Sequence, residues 1–426
     1  MNEKQQRDSA RQMPRLQRSA WQCERLNELL AEILPHNRLY AEKLGSCQRP
    51  LTDLQQLTNW PYTFKAELLA DSGAVNLPTN LTYPEEQYVR YHRTSGTQGR
   101  PLVVMDTAED WQWWCKSWQF VLDAAEIEPG DRALLAFSFG PFVGFWSAFD
   151  ALNFRRVMTI PAGSMSSVAR LELIRTSQAN VIFCTPSYAL HLVEVARANQ
   201  IEVADLGVHR VVVAGEPGGS IPEIRRQIET AWNARLIDHA GASEVGPWGF
   251  NTPDGQGLFV NEHDFIAEFR SLETGKPARE GELSELVLTT LGRKGAPVIR
   301  YRTGDLVRPF FAHDYDSSFV FLKGGVLGRA DDMMIIRGVN IFPSSIEQII
   351  RSFPEVTEFR MTAFKSGHLD SIKVEVEDRL NQPERIAKEL LVRLNLKVEV
   401  VDVPAGTLPR FEMKGQRFVD RRREGL

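Results

Sequence analysis

A short run of hydroxyl and glycine residues is the stretch of this sequence best suited to binding a phosphate. Residues 94–101 are Thr-Ser-Gly-Thr-Gln-Gly-Arg-Pro, and an apolar segment at 102–105 follows directly. Glycines let backbone N–H groups approach an anion closely, and successive N–H groups in a turn form an anion-binding concavity. A polar hairpin loop explains the same composition equally well. This hydroxyl–glycine loop lacks the Walker A spacing, so it is not a P-loop of that type.

The bulk composition predicts a globular protein without a general affinity for nucleic acids. The chain has 426 residues and a formal net charge of −5 at pH 7. Its cysteines, Cys23, Cys47, Cys115 and Cys184, are far apart and form no C-x-x-C pair, which argues against a disulfide framework or a zinc cluster and favours a reducing compartment. No signal peptide or membrane-spanning apolar run is present in the sequence. We therefore expect a cytoplasmic enzyme or binding protein that does not engage a membrane.

Between residues 130 and 237 the hydrophobic pattern alternates between short apolar strands and amphipathic helices. Helices are also predicted over 1–50 and 106–121. The alternating strands are predicted at 133–137, 157–160, 181–186, 211–215 and 234–237, with helices at 142–152, 168–176, 188–198 and 221–232. This alternation indicates βαβ units on a mostly parallel sheet. Because ligands of such sheets bind at the C-terminal ends of the strands, Pro186, residues 215–217 and residues 239–244 should face one crevice.

The pattern changes beyond residue 250 and again near residue 328. Alternating segments at 265–269, 285–290 and 298–301 predict a smaller β unit. Roughly the last hundred residues predict an α+β domain with helices at 344–351 and 383–394 and strands at 333–336, 371–376 and 397–401. The predicted fold class is therefore α/β, with a large N-terminal domain over residues 1–328 and a small α+β C-terminal domain over residues 329–426.

Seven stretches in a fixed order form a pattern that covers nearly the whole chain. After the hydroxyl–glycine loop come Ala-Gly-Glu-Pro (214–217), Gly-Ala-Ser-Glu-Val-Gly (241–246), Arg-Tyr-Arg-Thr-Gly-Asp-Leu (300–306), Gly-Arg-Ala-Asp-Asp (328–332), Gly-Val-Asn-Ile-Phe-Pro (338–343) and Pro-Arg-Phe-Glu-Met-Lys (409–414). In order and spacing they resemble the adenylate-forming superfamily of acyl-CoA synthetases, luciferases and peptide-synthetase adenylation domains. The run at 338–347, Thr-Pro-Ser-Tyr at 185–188 and the compact length resemble the phenylacetate–CoA ligase branch.

The resemblance implies a ligase reaction in two steps. A carboxylate attacks the α-phosphate of ATP to give acyl-AMP and pyrophosphate, and the thiol of coenzyme A then displaces AMP. ATP, Mg²⁺ and coenzyme A would be required, and the acid would be aryl or similarly apolar. The C-terminal domain would be a mobile lid, with Asp331 at the hinge.

The resemblance assigns the phosphate and metal contacts to two parts of the chain. The β- and γ-phosphates would be held by the hydroxyl–glycine loop, through Thr94, Ser95, Gly96, Thr97 and Gly99. Glu244 would bind Mg²⁺, for which a hard oxygen ligand is suitable, and Ser243 would contact the α-phosphate. Taken alone, Glu244 is an ordinary surface carboxylate, and only its position after a parallel strand favours the metal role.

Further contacts to the nucleotide are implied for residues on both sides of these segments. Asp305 would accept charge-assisted hydrogen bonds from the two ribose hydroxyls, and Arg329 would lie near the ribose or a phosphate. Glu216 would lie beside the adenine, within the run Gly215, Glu216 and Pro217. A turn-forming Thr-Gly-Asp is the ordinary explanation of Asp305 taken by itself.

Lys414 would be the catalytic residue of the first step, together with Glu244. The lid would bring its ammonium to the α-phosphate and the bridging oxygen, where positive charge stabilises the transition state. The lid would then rotate away for thioester formation. A lone lysine near a C-terminus is usually solvated, but residues 409–417 match the lysine-bearing loop of the family.

The sequence departs from the family pattern at two nucleotide-binding positions. Arg100 replaces the usual lysine before the loop proline, which keeps the charge but changes its geometry. Ala240, preceded by His239, stands where relatives often place an aromatic residue against the adenine. His239 either contributes to stacking or is a structural histidine.

The acyl pocket is the least determined part of the expected site. Aromatic residues at 137–146 could form a flat apolar slot, with further residues at its border; the candidates are Phe137, Phe142, Phe145, Tyr188 and Ala214. Core packing explains these residues equally well.

Three hypotheses follow for the function of the chain. The first is an AMP-forming acid–thiol ligase acting on a small carboxylic acid, ATP and coenzyme A. The second keeps the adenylation but transfers the acyl group to a carrier protein or an amine. The third is a non-catalytic nucleotide-binding protein on the same fold. The oligomeric state is open, and a homodimer is one alternative.

Overall fold

The computed structural model describes residues 2–69, 77–94, 101–137, 139–332, 334–336, 339–366, 369–394, 396–410 and 417–422. The helices in these ranges are α1 (Glu3–Gln12), α2 (Arg15–Ile33), α3 (Arg38–Lys43), α4 (Lys65–Leu68), α5 (Ala108–Ala124), α6 (Val143–Phe154), α7 (Ser167–Ser177), α8 (Pro186–Ala198), α9 (Pro222–Trp232), α10 (Pro343–Arg351) and α11 (Pro383–Leu394). Short 3₁₀ turns are formed at Leu54–Asn59, Glu85–Gln87, Val203–Leu206 and Ala330–Asp332.

The strands in the same ranges form one large sheet and four smaller ones. They are β1 (Tyr88–Arg93), β2 (Val103–Thr107), β3 (Arg132–Leu135), β4 (Met158–Pro161), β5 (Val181–Cys184), β6 (Arg210–Val213), β7 (Arg235–Ala242), β8 (Gly246–Asn251), β9 (Gly257–Val260), β10 (Phe265–Ser271), β11 (Ser284–Thr290), β12 (Tyr301–Val307), β13 (Pro309–Phe310), β14 (Phe321–Lys323), β15 (Gly328–Arg329), β16 (Met334–Ile336), β17 (Val339–Ile341), β18 (Val356–Ser366), β19 (Leu369–Asp378), β20 (Glu399–Asp402) and β21 (Phe418–Asp420).

The large sheet has the order β13-β14-β9-β8-β7-β6-β5-β3-β4. Its half from β4 to β7 is parallel, and its half from β7 to β13 is antiparallel. The strands β5 and β6 are apolar along most of their length because helices cover both faces of this half. The predicted parallel βαβ units are confirmed for β3 to β7, but the sheet as a whole is mixed rather than mostly parallel, because the strands beyond β7 return as antiparallel hairpins; β7 is the strand at which the pairing changes direction.

The smaller β unit predicted beyond residue 250 is confirmed as the sheet β10-β11-β12-β15. The N-terminal helices α2 and α3 pack on it through a shared apolar cluster that includes Leu26, Tyr40 and Ile299. The hairpin β1–β2 stands apart as a two-stranded unit. These elements surround the carboxyl ends of β6 and β7.

The C-terminal part has its own hydrophobic core, formed by residues between Met334 and Phe418. Its sheet has the order β20-β19-β18-β21, with α10 and α11 packed against each other. It contacts the large domain where Gln227 on α9 donates to the carbonyl of Arg351 (2.9 Å) and where Arg410 lies 3.9 Å from Glu194 on α8. The predicted boundary at residue 329 stays a prediction.

Two local predictions differ from the structure. The helix predicted from Asp106 begins at Ala108, because residues up to Thr107 belong to β2 and the Thr107 hydroxyl accepts the N–H of Asp110 (3.2 Å) as an N-cap. The strand predicted at 298–301 is wrong: Arg300 has φ +50°, a left-handed conformation that a strand residue does not adopt, and the strand begins at Tyr301. Within the described ranges, none of the helices has both the length and the apolar character needed to span a bilayer.

Candidate active site

A cleft of about 520 Å³ opens at the carboxyl ends of β6 and β7. This is the edge at which ligands of parallel sheets bind. Its walls come from the turn after β6, from β7 and the turn that follows, from β12 and from residues 324–332. The cleft contains the sequence-predicted residues Thr94, Gly215, Glu216, Pro217, His239, Ala240, Glu244, Asp305, Arg329 and Asp331. The fold therefore collects residues that are separated by more than 200 positions in the chain.

The turn after β6 forms one wall of the cleft. Gly215 has φ +92°, a conformation that glycine adopts without a steric penalty. The Glu216 carboxylate accepts the backbone N–H of Ser187 (2.7 Å), at the start of α8. This hydrogen bond ties the turn after β6 to the carboxyl end of β5, so Glu216 is held in place at the border of the cleft.

Asp238, at the end of the parallel pairing of β7, is a cleft residue that the sequence prediction missed. Its carboxylate accepts hydrogen bonds from the Ser220 hydroxyl (2.5 Å) and from the N–H of His239 (3.0 Å). Burial raises the pKa of Asp238 to about 6, although these hydrogen bonds oppose the shift. Gly219 packs against it so closely that a Cβ there would lie 2.4 Å from the carboxyl carbon. The sequence held one signal for this residue: Asp238 is polar and directly follows the apolar run 236–237.

His239 is a structural histidine in this arrangement. Its ring lies 4.2 Å from that of Trp118, centroid to centroid, and its Nδ1 donates to the carbonyl of Gly249 (3.0 Å). Burial lowers the pKa of His239 to about 4, so the ring is neutral at pH 7. Neighbouring Ala240 lines the cleft with only a methyl group.

Glu244 lies in the turn between β7 and β8, with 7% of its side chain exposed. Lys65 places its ammonium 2.9 Å from the carboxylate, and the Tyr301 hydroxyl donates to it. Burial and the Glu244 charge hold the pKa of Tyr301 well above its usual value. An acceptor-only carboxylate with one cation and one hydroxyl beside it can exchange the cation for another positive ligand.

Lys65 is a second cleft residue that the sequence prediction missed. The segment before it pairs with the start of β12: Thr63 donates to the carbonyl of Arg300 (2.9 Å) and accepts the N–H of Arg302 (2.9 Å). That pairing joins positions more than 230 residues apart, and it puts α4 beside Glu244. No local pattern around Lys65 indicates this contact.

Asp305 on β12 and Arg329 on β15 form another part of the cleft wall. Arg329 donates to Asp305 (3.0 Å) and to Asp331 (3.1 Å). Burial by itself lowers the pKa of Arg329, but the two carboxylates outweigh it, so the pKa lies above the usual value. Gly304 has φ +76°, and a Cβ there would lie 2.8 Å from the Arg329 guanidinium, so this close approach requires glycine.

The chemistry of the donor set fits a Mg²⁺ ion that is shared with a polyphosphate. In the described part of the chain no group of three or more His, Cys, Asp or Glu side chains is placed to hold a metal by itself. Mg²⁺ in nucleotide sites is usually bound by one or two carboxylates together with substrate phosphates and water. Glu244 is a carboxylate of this kind at the border of the cleft, and the remaining ligands of such an ion would have to come from a bound phosphate and water.

Other predicted residues lie away from the cleft or outside the described ranges. Ser243 is next to the lining residues, and its backbone carbonyl is a hydrogen-bond acceptor of Arg293 (3.3 Å). The remaining residues of the hydroxyl–glycine loop with predicted roles, Ser95, Gly96, Thr97 and Gly99, and also Arg100 and Lys414, lie outside the described residues. Thr94 closes the β1–β2 hairpin, because its hydroxyl accepts the N–H of Leu102 (3.0 Å).

The aromatic candidates for the acyl pocket pack against one another. The rings of Phe137 and Phe145 stack at 4.1 Å, and Phe142, the residue before α6, is half-buried. Tyr188 is 1% exposed and faces the core rather than the cleft, because its hydroxyl contacts Ser167 (3.0 Å) and Arg170 (2.5 Å). Ala214 follows β6 directly, next to the cleft residue Gly215.

The low pKa of His239 makes a prediction about stability at acidic pH. The unfolded chain takes up a proton below pH 6.5 that the native ring does not accept until about pH 4, so the folded state loses stability as the pH falls through this window. We expect His239→Gln to remove about 2 kcal/mol of the stability difference between pH 7 and pH 5, seen as a smaller fall in melting temperature than in the unmodified protein.

The pKa of Asp238 is raised in the folded state, so this carboxyl stabilises the fold as the pH falls, opposite to His239. Asp238 is present in both the variant and the unmodified protein. The difference between them therefore isolates His239. The exposed His36, changed to Gln, is the matched control and should keep the original pH dependence. If the melting temperature falls equally between pH 7 and pH 5 in His239→Gln and in the unmodified protein, the low pKa of His239 is contradicted.

Comparisons with known proteins agree with this arrangement. A family model described as the AMP-binding enzyme C-terminal domain matches residues 338–422. The chain is 31% identical over 422 residues to the phenylacetate–coenzyme A ligase of Pseudomonas putida, covering 94% of this chain and 93% of that protein. It is also 31% identical to the phenylacetate–coenzyme A ligase of Escherichia coli, over 95% of this chain and 94% of that one.

Solved structures show the same fold at lower sequence identity. A 2-hydroxyisobutyryl-CoA ligase in the postadenylation state superposes with a TM-score of 0.91 at 24% identity, covering 98% of this chain and 92% of that one. The same ligase in the thioesterification state, with CoA, gives a TM-score of 0.73 over 97% and 92% of the two chains. Together with the near-full-length sequence matches, these findings place the chain in the phenylacetate–coenzyme A ligase family of adenylate-forming enzymes.

Proposed function

We propose that the protein is an AMP-forming acid–thiol ligase that activates an aryl acid with ATP and transfers the acyl group to coenzyme A. One observation is central to this proposal: Glu244, Asp305 and the Gly215–Pro217 turn, which lie far apart in the sequence, converge on one cleft. In this proposal Glu244 would be the metal ligand, Asp305 would accept the ribose hydroxyls, and the Gly215–Pro217 turn would border the base. The four cysteines are free, which suits a reducing cytoplasm.

The nucleotide would lie across the cleft. Asp305 would accept the ribose hydroxyls, with Arg329 fixing the carboxylate from its other side at 3.0 Å. The adenine would lie between residues 215–217 and the end of β7. Asp238 faces this space and can accept an N–H from the base. With Ala240 in place of an aromatic residue, base recognition would rely on polar contacts more than on stacking.

The adenylation step would depend on fixed charges around the α-phosphate. Mg²⁺, when bound, would be held by Glu244 and phosphate oxygens and would neutralise charge on the triphosphate. Ser243 would contact the α-phosphate, and Thr94, Ser95, Gly96, Thr97 and Gly99 the β- and γ-phosphates. Lys414 would stabilise the charge that develops when the substrate carboxylate attacks.

Lys65 adds a cation to this set. Its ammonium balances Glu244, and 44% of the Lys65 side chain is exposed to the cleft. Partly exposed ion pairs are weak and are readily exchanged. With Glu244 taken up as a metal ligand, the Lys65 ammonium would be free to pair with the triphosphate, so Lys65 would help to bind Mg·ATP.

The arrangement of the two domains suits the adenylation stage of the reaction. Against two structures of the same ligase bound to 2-HIB-AMP, this chain gives a TM-score of 0.91 for the postadenylation state and 0.73 for the thioesterification state with CoA. The present chain resembles the earlier stage. We propose that the hinge lies at Asp331 and expect the C-terminal domain to rotate before the thiol attacks.

Phenylacetate is the acid that we propose first, since the full-length relatives are named for it. The test is carboxylate-dependent release of AMP and pyrophosphate across a panel of aryl, aliphatic and hydroxy acids, with and without coenzyme A. We expect release with aryl acids, and a thioester product only when coenzyme A is added. Release without a thioester would favour transfer to a carrier protein or an amine. No turnover with any acid would favour a non-catalytic nucleotide-binding protein.

Replacement of Lys65 tests its role toward ATP. We expect Lys65→Gln to raise the KM for Mg·ATP about tenfold, the worth of one hydrogen bond to a charged group, with a smaller change in kcat. Lys43, which pairs with Glu67 outside the cleft, provides the matched control Lys43→Gln. Equal KM values for the two variants would contradict the role of Lys65.

Replacement of Lys414 separates the two half-reactions. We expect Lys414→Ala to abolish ATP–pyrophosphate exchange but to spare thioester formation from a supplied acyl-adenylate, because the ammonium acts on the α-phosphate only in the first step. Lys388, exposed on α11, gives the control variant Lys388→Ala, which should retain both activities. Unchanged exchange in Lys414→Ala would refute the assignment.

A further inference from the structure

Arg293 is a fully buried arginine that connects two parts of the cleft wall. Its Nη1 donates to the backbone carbonyls of Glu244 (2.7 Å) and Ser243 (3.3 Å). Its Nε donates to Asp106 Oδ1 (2.8 Å), and Nη2 lies 2.7 Å from the same oxygen. One guanidinium therefore joins the turn after β7 to strand β2, which pairs with the strand that leads to Thr94.

The partners of Arg293 are themselves held rigidly. Asp106 is fully buried on β2 and also accepts the indole N–H of Trp114 (3.1 Å). The residue after Arg293 donates its N–H to Asp110 on α5 (2.7 Å), and so does Gly295 (3.0 Å). A Cβ at Gly295 would lie 2.3 Å from the Asp110 carboxylate, so the turn at 293–295 packs against α5 without free space.

Stability alone is a poor explanation for this ion pair. The desolvation of two fully buried charges offsets most of their attraction, and well-packed apolar residues of similar volume often stabilise a protein equally well. What an apolar pair cannot do is bind main-chain carbonyls. The guanidinium has five donors in a fixed plane, so it can bind a carboxylate and two carbonyls at the same time. The contact to the carbonyls of Ser243 and Glu244 is thus the feature that requires arginine.

We propose that Arg293, oriented by Asp106, is a positioning residue that fixes the backbone of Ser243 and Glu244, and hence the Glu244 carboxylate, for binding of Mg·ATP. This inference rests on the proposed function, in which Glu244 is the metal ligand. Arg293 touches neither substrate nor metal and acts through the backbone of the turn. Partners that orient a metal ligand commonly contribute tenfold to a hundredfold to affinity or activity.

The test compares Mg·ATP and AMP binding by calorimetry in Arg293→Lys. Lysine keeps the charge next to Asp106 but cannot reach both the carboxylate and the carbonyls. We expect the Kd for Mg·ATP to rise about tenfold or more and the Kd for AMP to change less than about threefold. AMP is the reference because it lacks the β- and γ-phosphates, and its ribose and base would bind residues that Arg293 does not contact. Only its α-phosphate would meet Ser243, so a smaller change is expected. Pyrophosphate exchange should fall with Mg·ATP affinity, while thioester formation from supplied acyl-adenylate should persist.

A matched control is available at the C-terminal end of α5, outside the residues that line the cleft. Arg155 pairs with Asp123 (2.5 Å) and donates to the carbonyl of Ile127 (3.0 Å), so it is another buried arginine joined to a carboxylate and a main chain. Arg155→Lys should lower the melting temperature without changing the ratio of the two Kd values. If Arg293→Lys fails to fold, Trp114→Phe keeps an aromatic ring but removes the N–H that orients Asp106, and it should shift the same ratio in the same direction.

The possible outcomes separate this inference from the proposed function. If the unmodified protein does not bind Mg·ATP, the proposed function itself fails. If it binds Mg·ATP, but Arg293→Lys binds Mg·ATP and AMP with unchanged or equally weakened affinity, only the positioning role fails. A selective loss of Mg·ATP affinity in Arg293→Lys supports both the proposed function and the positioning role of Arg293.

Discussion

The site depends on β7, the strand at which the large sheet changes from parallel to antiparallel pairing. On one side, β7 pairs in parallel with β6, with Val213 opposite Asp238; on the other, it pairs with β8 as a hairpin. The carboxyl end of a parallel strand and the turn of a hairpin therefore coincide. This coincidence places a buried carboxylate, Glu244, at the edge of the sheet where backbone N–H groups and turns are available to a ligand.

Charge balance explains why the cleft can hold carboxylates and still accept a polyanion. Glu244 is paired with Lys65, and Asp305 is paired with Arg329, whose side chain is 38% exposed. Because these cations are partly solvated, each pair contributes little to stability and can be rearranged at small cost. The buried Arg293–Asp106 pair behaves differently. Its exchange would leave a charge unpaired in the interior, which costs several kcal/mol, so it is suited to holding a backbone in place. The cleft thus combines exchangeable ion pairs at its surface with a fixed one behind it.

The sequence predicted the features that depend on local pattern. Apolar strands alternating with amphipathic helices were sufficient to predict the parallel half of the large sheet and the edge at which Glu216, His239 and Glu244 meet. Contacts that depend on tertiary pairing were not predictable. Lys65 reaches Glu244 only because Thr63 pairs with β12, and Arg293 lies in a polar run that looks like an ordinary surface turn. Tyr188 was expected at the border of a pocket, but its position in the first turn of α8 directs it toward Arg170 in the core.

The central claim is that this cleft binds the acyl-adenylate. The most direct measurement is a crystal structure of the protein with a sulfamate analogue of phenylacetyl-adenylate, in which the reactive phosphate is replaced. We expect the ribose hydroxyls within hydrogen-bonding distance of Asp305, the base between residues 215–217 and Asp238, and the sulfamate beside Ser243 and Glu244. Binding of the analogue elsewhere on the protein, or in the cleft with its ribose away from Asp305, would contradict the proposed binding of the acyl-adenylate.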